Sequence, residues 1–438
     1  MNDENIINAN PTKGFFINML TRDIRLDRAI IDLIDNCIDG AKNIKSDENY
    51  EGLNVKLTLT ENSFQIIDNC GGFPLKVAKN YAFRFGRPDE PDAKFVDHSI
   101  GRFGVGMKRS LFKMGNHFIV ESKCKNDHFI VEVNVKEWVK QNEWTFNYIE
   151  KDNIPEGKSN LNGEDGTVIT VSDLYDSIKL DFNSTEFKSK LKKEISLALS
   201  YSILKKIDIR VNNSLIERTD IVFLEKDGLK PLKISKKIDG VDVQIYAGVG
   251  DYSPNKAGWY VFCNDRLVLE ADKSYTTGWK ENRDDEGNII KYHNDYAMFR
   301  GAIFFDSKNS SKLPMTTTKT GIDSDHPVFK STRPIILSSL RQVINYLRKI
   351  ENKDEGQIII NESIPVKITE IRNKKHKYSE NFIYPKTKAQ KEASKYVGIS
   401  YKKEREIVER VKNEVGISSN KELGEHTFDY FCKINNLD

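Results

Sequence analysis

Asp27–Asn43 reads DRAIIDLIDNCIDGAKN, and laid on a helix it separates into two chemically opposite faces. At about 100° per residue, Asp32, Asp35, Asn36 and Asp39 fall on one arc, while Ile30, Leu33, Ile34, Cys37 and Ala41 fall on the other. Three carboxylates on one face repel one another, by roughly 0.2–0.5 kcal/mol per close pair at full exposure and by more when buried. A divalent metal carrying phosphates would turn that cost into binding. Taken alone, the segment reads first as an amphipathic helix with a wet polar face, so its meaning depends on its neighbours.

Three further segments follow in order. Ile66–Pro74 (IIDNCGGFP) is an apolar strand ending in Asp68-Asn69, then Gly71-Gly72. A carboxylate beside glycines that let a flat ligand approach the backbone can accept a hydrogen bond from an exocyclic amine such as that of adenine. Gly101-Arg102-Phe103-Gly104-Val105-Gly106 precedes the helical MKRSL at 107–111. Glycines open backbone N–H groups to an anion, and the helix start adds about half a positive charge. The GxxGxG spacing matches neither the dinucleotide fingerprint nor the P-loop, which ends in Gly-Lys-Ser/Thr. Finally, Gly166-Thr167 opens the strand GTVITV. Each segment also has a plain structural explanation as a turn, a flexible loop or a strand start.

Together, within about 150 residues, these four motifs resemble the GHKL or Bergerat-fold ATPases: gyrase B subunits, MutL proteins, MORC-type ATPases, the ninety-kilodalton heat-shock chaperones and histidine kinases. The resemblance covers roughly residues 12–180. It implies an α+β fold, a Bergerat α/β sandwich with a mixed sheet and helices on one face, and it implies ATP and Mg²⁺ as ligands. Residue by residue, Asn36 would coordinate the Mg²⁺ that bridges the phosphates and Asp39 would line the same pocket. Asp68 would bind the adenine amine directly and through water, supported by Thr167, with Gly72 leaving room at the backbone. Gly101, Gly104, Val105 and Gly106 would form the lid hinge and phosphate loop, Lys108 would reach a phosphate, and Arg84–Ser99 would be the lid.

Two departures stand out. Cys70 takes the place of the first glycine in the family's D-x-G-x-G. Asp32 stands where hydrolysing members carry Glu, the general base for the attacking water. Asp is one methylene shorter, about 1.5 Å, and a base must lie within about 2.6–3.2 Å of the proton it takes. A closer helix or a second water would be needed, so binding is the safer expectation than turnover. Asp35 is the reserve base, about 60° round the helix.

The second half, with IDIRVNNSLIERTD, GWYVFCNDRLVLEAD and LPMTTTKTGID, resembles the ribosomal-protein-S5-like transducer domain of gyrase-, MutL- and MORC-like members. GWYVFCNDRLV is especially close to a MORC-type strand. Lys319 would then be the γ-phosphate lysine, with Lys312 as rival. The implied organisation is an ATP-binding domain with lid at 1–183, a transducer-like domain at 184–350, and a polar linker with a helical C-terminal region at 351–438. The coarse pattern also predicts a hairpin over 53–68, strands over 118–123, 129–135, 144–150, 167–171, 241–249, 258–269 and 302–306, and helices over 185–206 and about 334–350.

Composition narrows the functional class. Of 438 residues, 68 are basic and 65 acidic, so any nucleic-acid surface must be a local patch. Five widely spaced cysteines without a CxxC pair fit a reducing compartment and exclude a disulfide framework. No apolar run reaches the ~18 residues of a membrane span, which points to the cytoplasm and to no membrane partner. The basic stretch Arg372–Lys377 and the Lys-rich 386–403 read as a solvated linker and helix or as a nucleic-acid patch. Tyr396, Tyr401, Phe428, Tyr430 and Phe431 are expected to pack the tail's own small core, with a partner-docking surface as the alternative.

The leading expectation is a Mg²⁺-dependent clamp that binds ATP, hydrolyses it slowly and forms an ATP-dependent homodimer. Protein effectors, or DNA as for MORC- and MutL-like relatives, are expected partners, in genome maintenance or phage defence. A nucleotide-gated binding module without useful turnover is the alternative, and a protein kinase of the same superfamily a third.

Overall fold

The computed structural model describes residues 11–45, 49–85, 106–161, 163–280, 290–350, 359, 361–373, 378–385 and 399–437. The chain forms two compact units, Met1–Tyr384 and Pro385–Asp438. The first opens with helices α1 (Lys13–Arg22) and α2 (Leu26–Ile44), then the hairpin β1 (Asn54–Leu59) and β2 (Phe64–Asp68). The short helix α3 (Leu75–Val77) and α4 (Gly106–Met114) precede β3 (Gly115–Cys124), β4 (Asp127–Asn134), α5 (Val135–Trp138), β5 (Tyr148–Glu150) and β6 (Gly166–Leu174). Helices α6 (Asp176–Asn183), α7 (Thr185–Ala198) and α8 (Ser200–Leu204) lead to β7 (Asp208–Val211) and β8 (Ser214–Leu215).

These strands make one mixed sheet in the order β5-β4-β3-β6-β2-β1-β7-β8, antiparallel throughout except where β1 runs parallel to β7. The apolar face of α2 explains why a helix layer covers it. Ile30, Ile34, Ile38 and Ala41 are each 0 % exposed, and burying an Ile side chain stabilises by roughly 1.5–3 kcal/mol. The expected α+β sandwich is therefore present. The expected boundary near residue 183 falls inside this sheet, because β7 pairs with β1.

The second sheet has the order β10-β11-β14-β12-β13, from β9 (Val222–Glu225), which lies outside it, through β10 (Leu232–Ile238), β11 (Val241–Val249), β12 (Gly258–Cys263), β13 (Arg266–Asp272) and β14 (Phe299–Asp306). Helix α9 (Pro327–Leu347) packs on it through Ile336, Leu340 and Val343. Strand β15 (Ile364–Lys367) pairs with β9.

Several expected elements differ. The single strand over 258–269 is a hairpin, turned at Asn264 and Asp265 with φ of 47° and 66°. Both residue types tolerate the left-handed region that such two-residue turns require. The strand over 144–150 is only β5. The helix over 185–206 breaks at Leu199. Helix α9 begins seven residues before Pro334 because Pro327 occupies the first turn instead.

The second unit contains helices Arg405–Val415 and Asn420–Ile434. Its aromatic residues do not form the expected small core. Tyr401, Phe428, Tyr430 and Phe431 are exposed and only Leu423 is buried among its described residues, since two short helices have too little inner surface to enclose large rings. Tyr396 lies outside the described residues, as do 374–377 and 386–398.

Candidate nucleotide site

The strand end at Asp68 is built by local hydrogen bonds. The Asn69 side chain accepts from the Asn54 N–H at 2.7 Å and donates to the Gly52 carbonyl at 3.0 Å, which fastens the end of β2 to β1. Asp68 is thereby left to face inward, directly opposite Thr167 on β6. The chain then turns through Gly71 and Gly72, with φ of 91° and 57°. A Cβ on Gly72 would lie 2.2 Å from the Lys123 carbonyl oxygen and 2.7 Å from that of Gly166, so only glycine fits. Ser122, fully buried, holds this turn on β3 by accepting from the Phe73 N–H and donating to the Phe73 carbonyl.

Helix α2 lies close over this strand end because of Gly40, where a Cβ would stand 2.6 Å from the Cys70 carbonyl oxygen. The result is a cavity of about 200 Å³ into which Asn36, Asp39, Asp68, Gly72 and Thr167 converge. Leu33, Ile66, Phe73, Met107 and Ile169 supply apolar walls. A flat heterocycle with one amine suits such a lining. A larger cleft of about 550 Å³ beside Phe85 and Trp144 shares none of these residues and, among the described residues, has no carboxylate in its lining.

Burial pushes the Asp68 carboxyl up to about 6, against the opposing hydrogen bonds from the Cys70 N–H at 2.8 Å, the Cys37 thiol and the Thr167 backbone. Burial likewise raises the thiols of Cys37 and Cys70, so both stand as neutral groups beside the carboxylate. Cys37 was visible in the sequence only as a member of the apolar face.

One turn before Asn36 the same helix enters a different environment. Asp32 and Asp35, 2 % and 0 % exposed, meet three cations. Arg109 Nη2 lies 2.7 Å from Asp32 Oδ2. Lys319 Nζ lies 3.2 Å from Asp32 Oδ1 and 2.9 Å from Asp35 Oδ2. Arg266 Nε lies 3.0 Å from Asp35 Oδ1. Burial opposes the charge on Asp35, but Arg266 and Lys319 outweigh it and hold the carboxyl below its ordinary value. Burial also works against the Lys319 ammonium, and Asp32 and Asp35 outweigh it to raise its pKa. Lys319 reaches this place from a tight turn, its own φ being 54° and its N–H bonded to the Thr316 carbonyl.

The expected site residues thus divide. Asn36, Asp39, Asp68, Gly72 and Thr167 share the cavity, whereas Asp32 and Lys319 meet beside it. Gly106 opens α4, and a Cβ there would lie 3.3 Å from Asp32 Oδ2. Lys108 does not line the cavity: its ammonium donates to the Ala82 carbonyl at 2.7 Å, and burial lowers its pKa to about 7. The rival Lys312 bonds the Asp239 carbonyl. Gly101, Gly104, Val105 and residues 86–99 of the expected lid lie outside the described residues. Arg109 and Arg266 were missed as site residues, although each sits in a quoted motif.

A mixed sheet under a helix layer, with an acidic helix face meeting a strand-end Asp between glycines, is the construction of a Bergerat-type nucleotide-binding domain. Residues 24–167 match the family of histidine kinase-, DNA gyrase B-, and HSP90-like ATPases, and this segment is a GHKL ATPase domain. The family binds ATP, usually with Mg²⁺, and its domains commonly dimerise on ATP binding. No curated protein matches the chain. Among the described residues, no helix is long and apolar enough to cross a membrane.

Proposed function

We propose that the protein is a MORC- or MutL-like clamp of the cytoplasm that binds Mg-ATP, hydrolyses it slowly and dimerises through its nucleotide domain. In this reading the second sheet with α9 acts as the transducer and Lys319 senses the γ-phosphate. The observation that carries the proposal is the charge of the buried cluster. Three cations, Arg109, Arg266 and Lys319, face two carboxylates, Asp32 and Asp35, one helical turn from the nucleotide cavity. A surplus positive charge without water is costly, and the γ-phosphate of a bound nucleotide is the anion that would relieve it.

The residues present suit Mg²⁺. Among the described residues no group of three or more His, Cys, Asp or Glu could enclose a metal. Asn36 offers a single hard oxygen at the cavity, which fits an ion that takes its other ligands from phosphates and water. When bound, Mg²⁺ supplies charge neutralisation along the phosphates. Asp68 would accept the adenine amine, and Asp32 would take a proton from the attacking water.

The close approach of α4 to α2 supports Asp32 in that role despite its short side chain. Ser110 Oγ bonds the Ala29 carbonyl at 2.7 Å, which holds the start of α4 against Asp32. The second reading, a nucleotide-gated binder without turnover, is favoured by one feature: both Asp32 oxygens are already engaged. By analogy with MORC- and MutL-like proteins, the clamp would act with a protein effector or DNA in genome maintenance or phage defence.

The test is phosphate release from Mg-ATP over a range of protein concentrations, with wild type and Asp32→Ala in parallel. Release that rises more than linearly with concentration and is lost in the variant is the expected result. ATP binding by both proteins without release by either would sink the hydrolytic reading in favour of the binder.

A further inference from the structure

Arg109 makes an unusual contact for a buried guanidinium. It is 6 % exposed, yet its one ion pair among the described residues is with Asp32, and its buried Nε–H has no acceptor there. A buried Arg that is only structural usually has its donors satisfied, because each one left unmade costs about 1–3 kcal/mol. Its backbone is also fixed. Ser110, the next residue, donates to the Ala29 carbonyl at 2.7 Å on α2, three residues before Asp32.

The two oxygens of Asp32 are held by different parts of the protein. Oδ2 belongs to Arg109, from the same domain, at 2.7 Å. Oδ1 belongs to Lys319, from the loop between β14 and α9, at 3.2 Å. From this division we infer that Arg109 is the positioning residue for Asp32: it fixes the carboxylate through Oδ2, so that only Oδ1 becomes available when Lys319 turns to a γ-phosphate. This rests on the proposed hydrolytic reading and adds to it a residue and an order of events.

A water oxygen forms a bond to Pγ as the bond from Pγ to the bridging oxygen breaks, ADP leaves with that electron pair, and the water proton passes to Asp32 Oδ1 and then to the released phosphate. A carboxylate pinned at one oxygen cannot rotate away from the water. That restraint matters more for Asp than for a longer Glu, because the shorter chain has less reach with which to correct an error in placement. The unfilled Nε–H of Arg109 is a donor available to an oxygen entering the same space.

The test uses the full chain with Arg109→Met and Arg109→Lys, each alone and combined with Asp32→Asn. kcat and KM for Mg-ATP, ADP affinity and thermal melting are measured for all. Arg109→Met is expected to lower kcat roughly 10- to 100-fold, since misplacing a reacting group by about 1 Å costs on that scale, with KM and ADP affinity within about threefold. Arg109→Lys recovers part of the loss. The combined variants are no slower than Asp32→Asn alone, because the two residues act as one unit. Losses that multiply, or a loss confined to KM, overturn the inference while leaving ATP hydrolysis intact. Should Arg109→Met melt before assay, Arg109→Lys with Asp32→Asn makes the same comparison. A wild type that binds ATP but releases no phosphate overturns the hydrolytic reading, and this inference with it.

Discussion

Lowering the pH from 8 to 5 should weaken adenine-nucleotide binding through one identifiable group. Burial raises the Asp68 carboxyl to about 6, and only the ionised form is purely a hydrogen-bond acceptor for an exocyclic amine. With a pKa of about 6 the ionised fraction falls from roughly 99 % at pH 8 to roughly 9 % at pH 5, so affinity that follows this fraction drops about tenfold, near 1.4 kcal/mol. The assay is ADP titration by calorimetry at half-unit pH steps, with Asp68→Asn in parallel. The phosphates titrate alike in both experiments and divide out of the ratio. The same shift has a sign for stability: a native carboxyl at about 6 keeps a proton that the unfolded chain, near 3.8, releases. The Asp68 contribution therefore falls by roughly 3 kcal/mol as pH rises through that window and is absent in Asp68→Asn. Equal pH slopes for wild type and variant, or tighter wild-type binding at pH 5, would refute the reasoning.

Other substitutions probe the same construction. Gly72→Ala should destabilise by about 2–5 kcal/mol in urea unfolding, from the left-handed backbone and from two carbonyl oxygens that its Cβ would meet below 3 Å; a loss under 1 kcal/mol would contradict the geometry. Lys319→Met should cost ATP affinity roughly tenfold or more and leave ADP within about twofold, because the nucleotide contact it removes is the charge-assisted one to the γ-phosphate. Equal losses for both nucleotides would remove Lys319 from the sensor role. Arg266→Met should destabilise by about 3–5 kcal/mol by leaving Asp35 short of a buried partner. Adding Asp35→Leu should restore much of it, and further loss in the double variant would instead assign Arg266 to packing.

The residues that share the candidate cavity were legible in the sequence, because they obey local rules. Asn36 and Asp39 share a helical arc, Asp68 ends an alternating strand, and Thr167 begins the strand opposite it. What could not be seen depends on distant pairing. Asp35 and Arg266 are 231 positions apart, and no local period signals that they meet, so Asp35 read as a member of the polar arc and as a reserve base. Arg109 stood in the quoted helix after the glycines with no role of its own. The β12–β13 turn lacked glycine, so Asn264-Asp265 passed as strand interior. Two prolines competed for the first turn of α9, and the earlier one took it.

The charge cluster also separates into two pairs and one surplus member. Arg109 with Asp32, and Arg266 with Asp35, make two neutral pairs at 2.7 and 3.0 Å. The first lies within the nucleotide domain, and the second joins α2 to the β12–β13 hairpin of the other sheet. Lys319 is the fifth charge, bound to both carboxylates and needed by neither for neutrality. Buried ion pairs add little net stability compared with apolar packing, so a surplus lysine at this place is poorly explained as a fastener. Its departure would leave two complete pairs and no unpaired carboxylate, which makes Lys319 the least costly of the five to move. On the proposed reading a γ-phosphate therefore needs to win only Lys319, while Arg266 and Asp35 keep the two sheets in register and Arg109 keeps Asp32 in place.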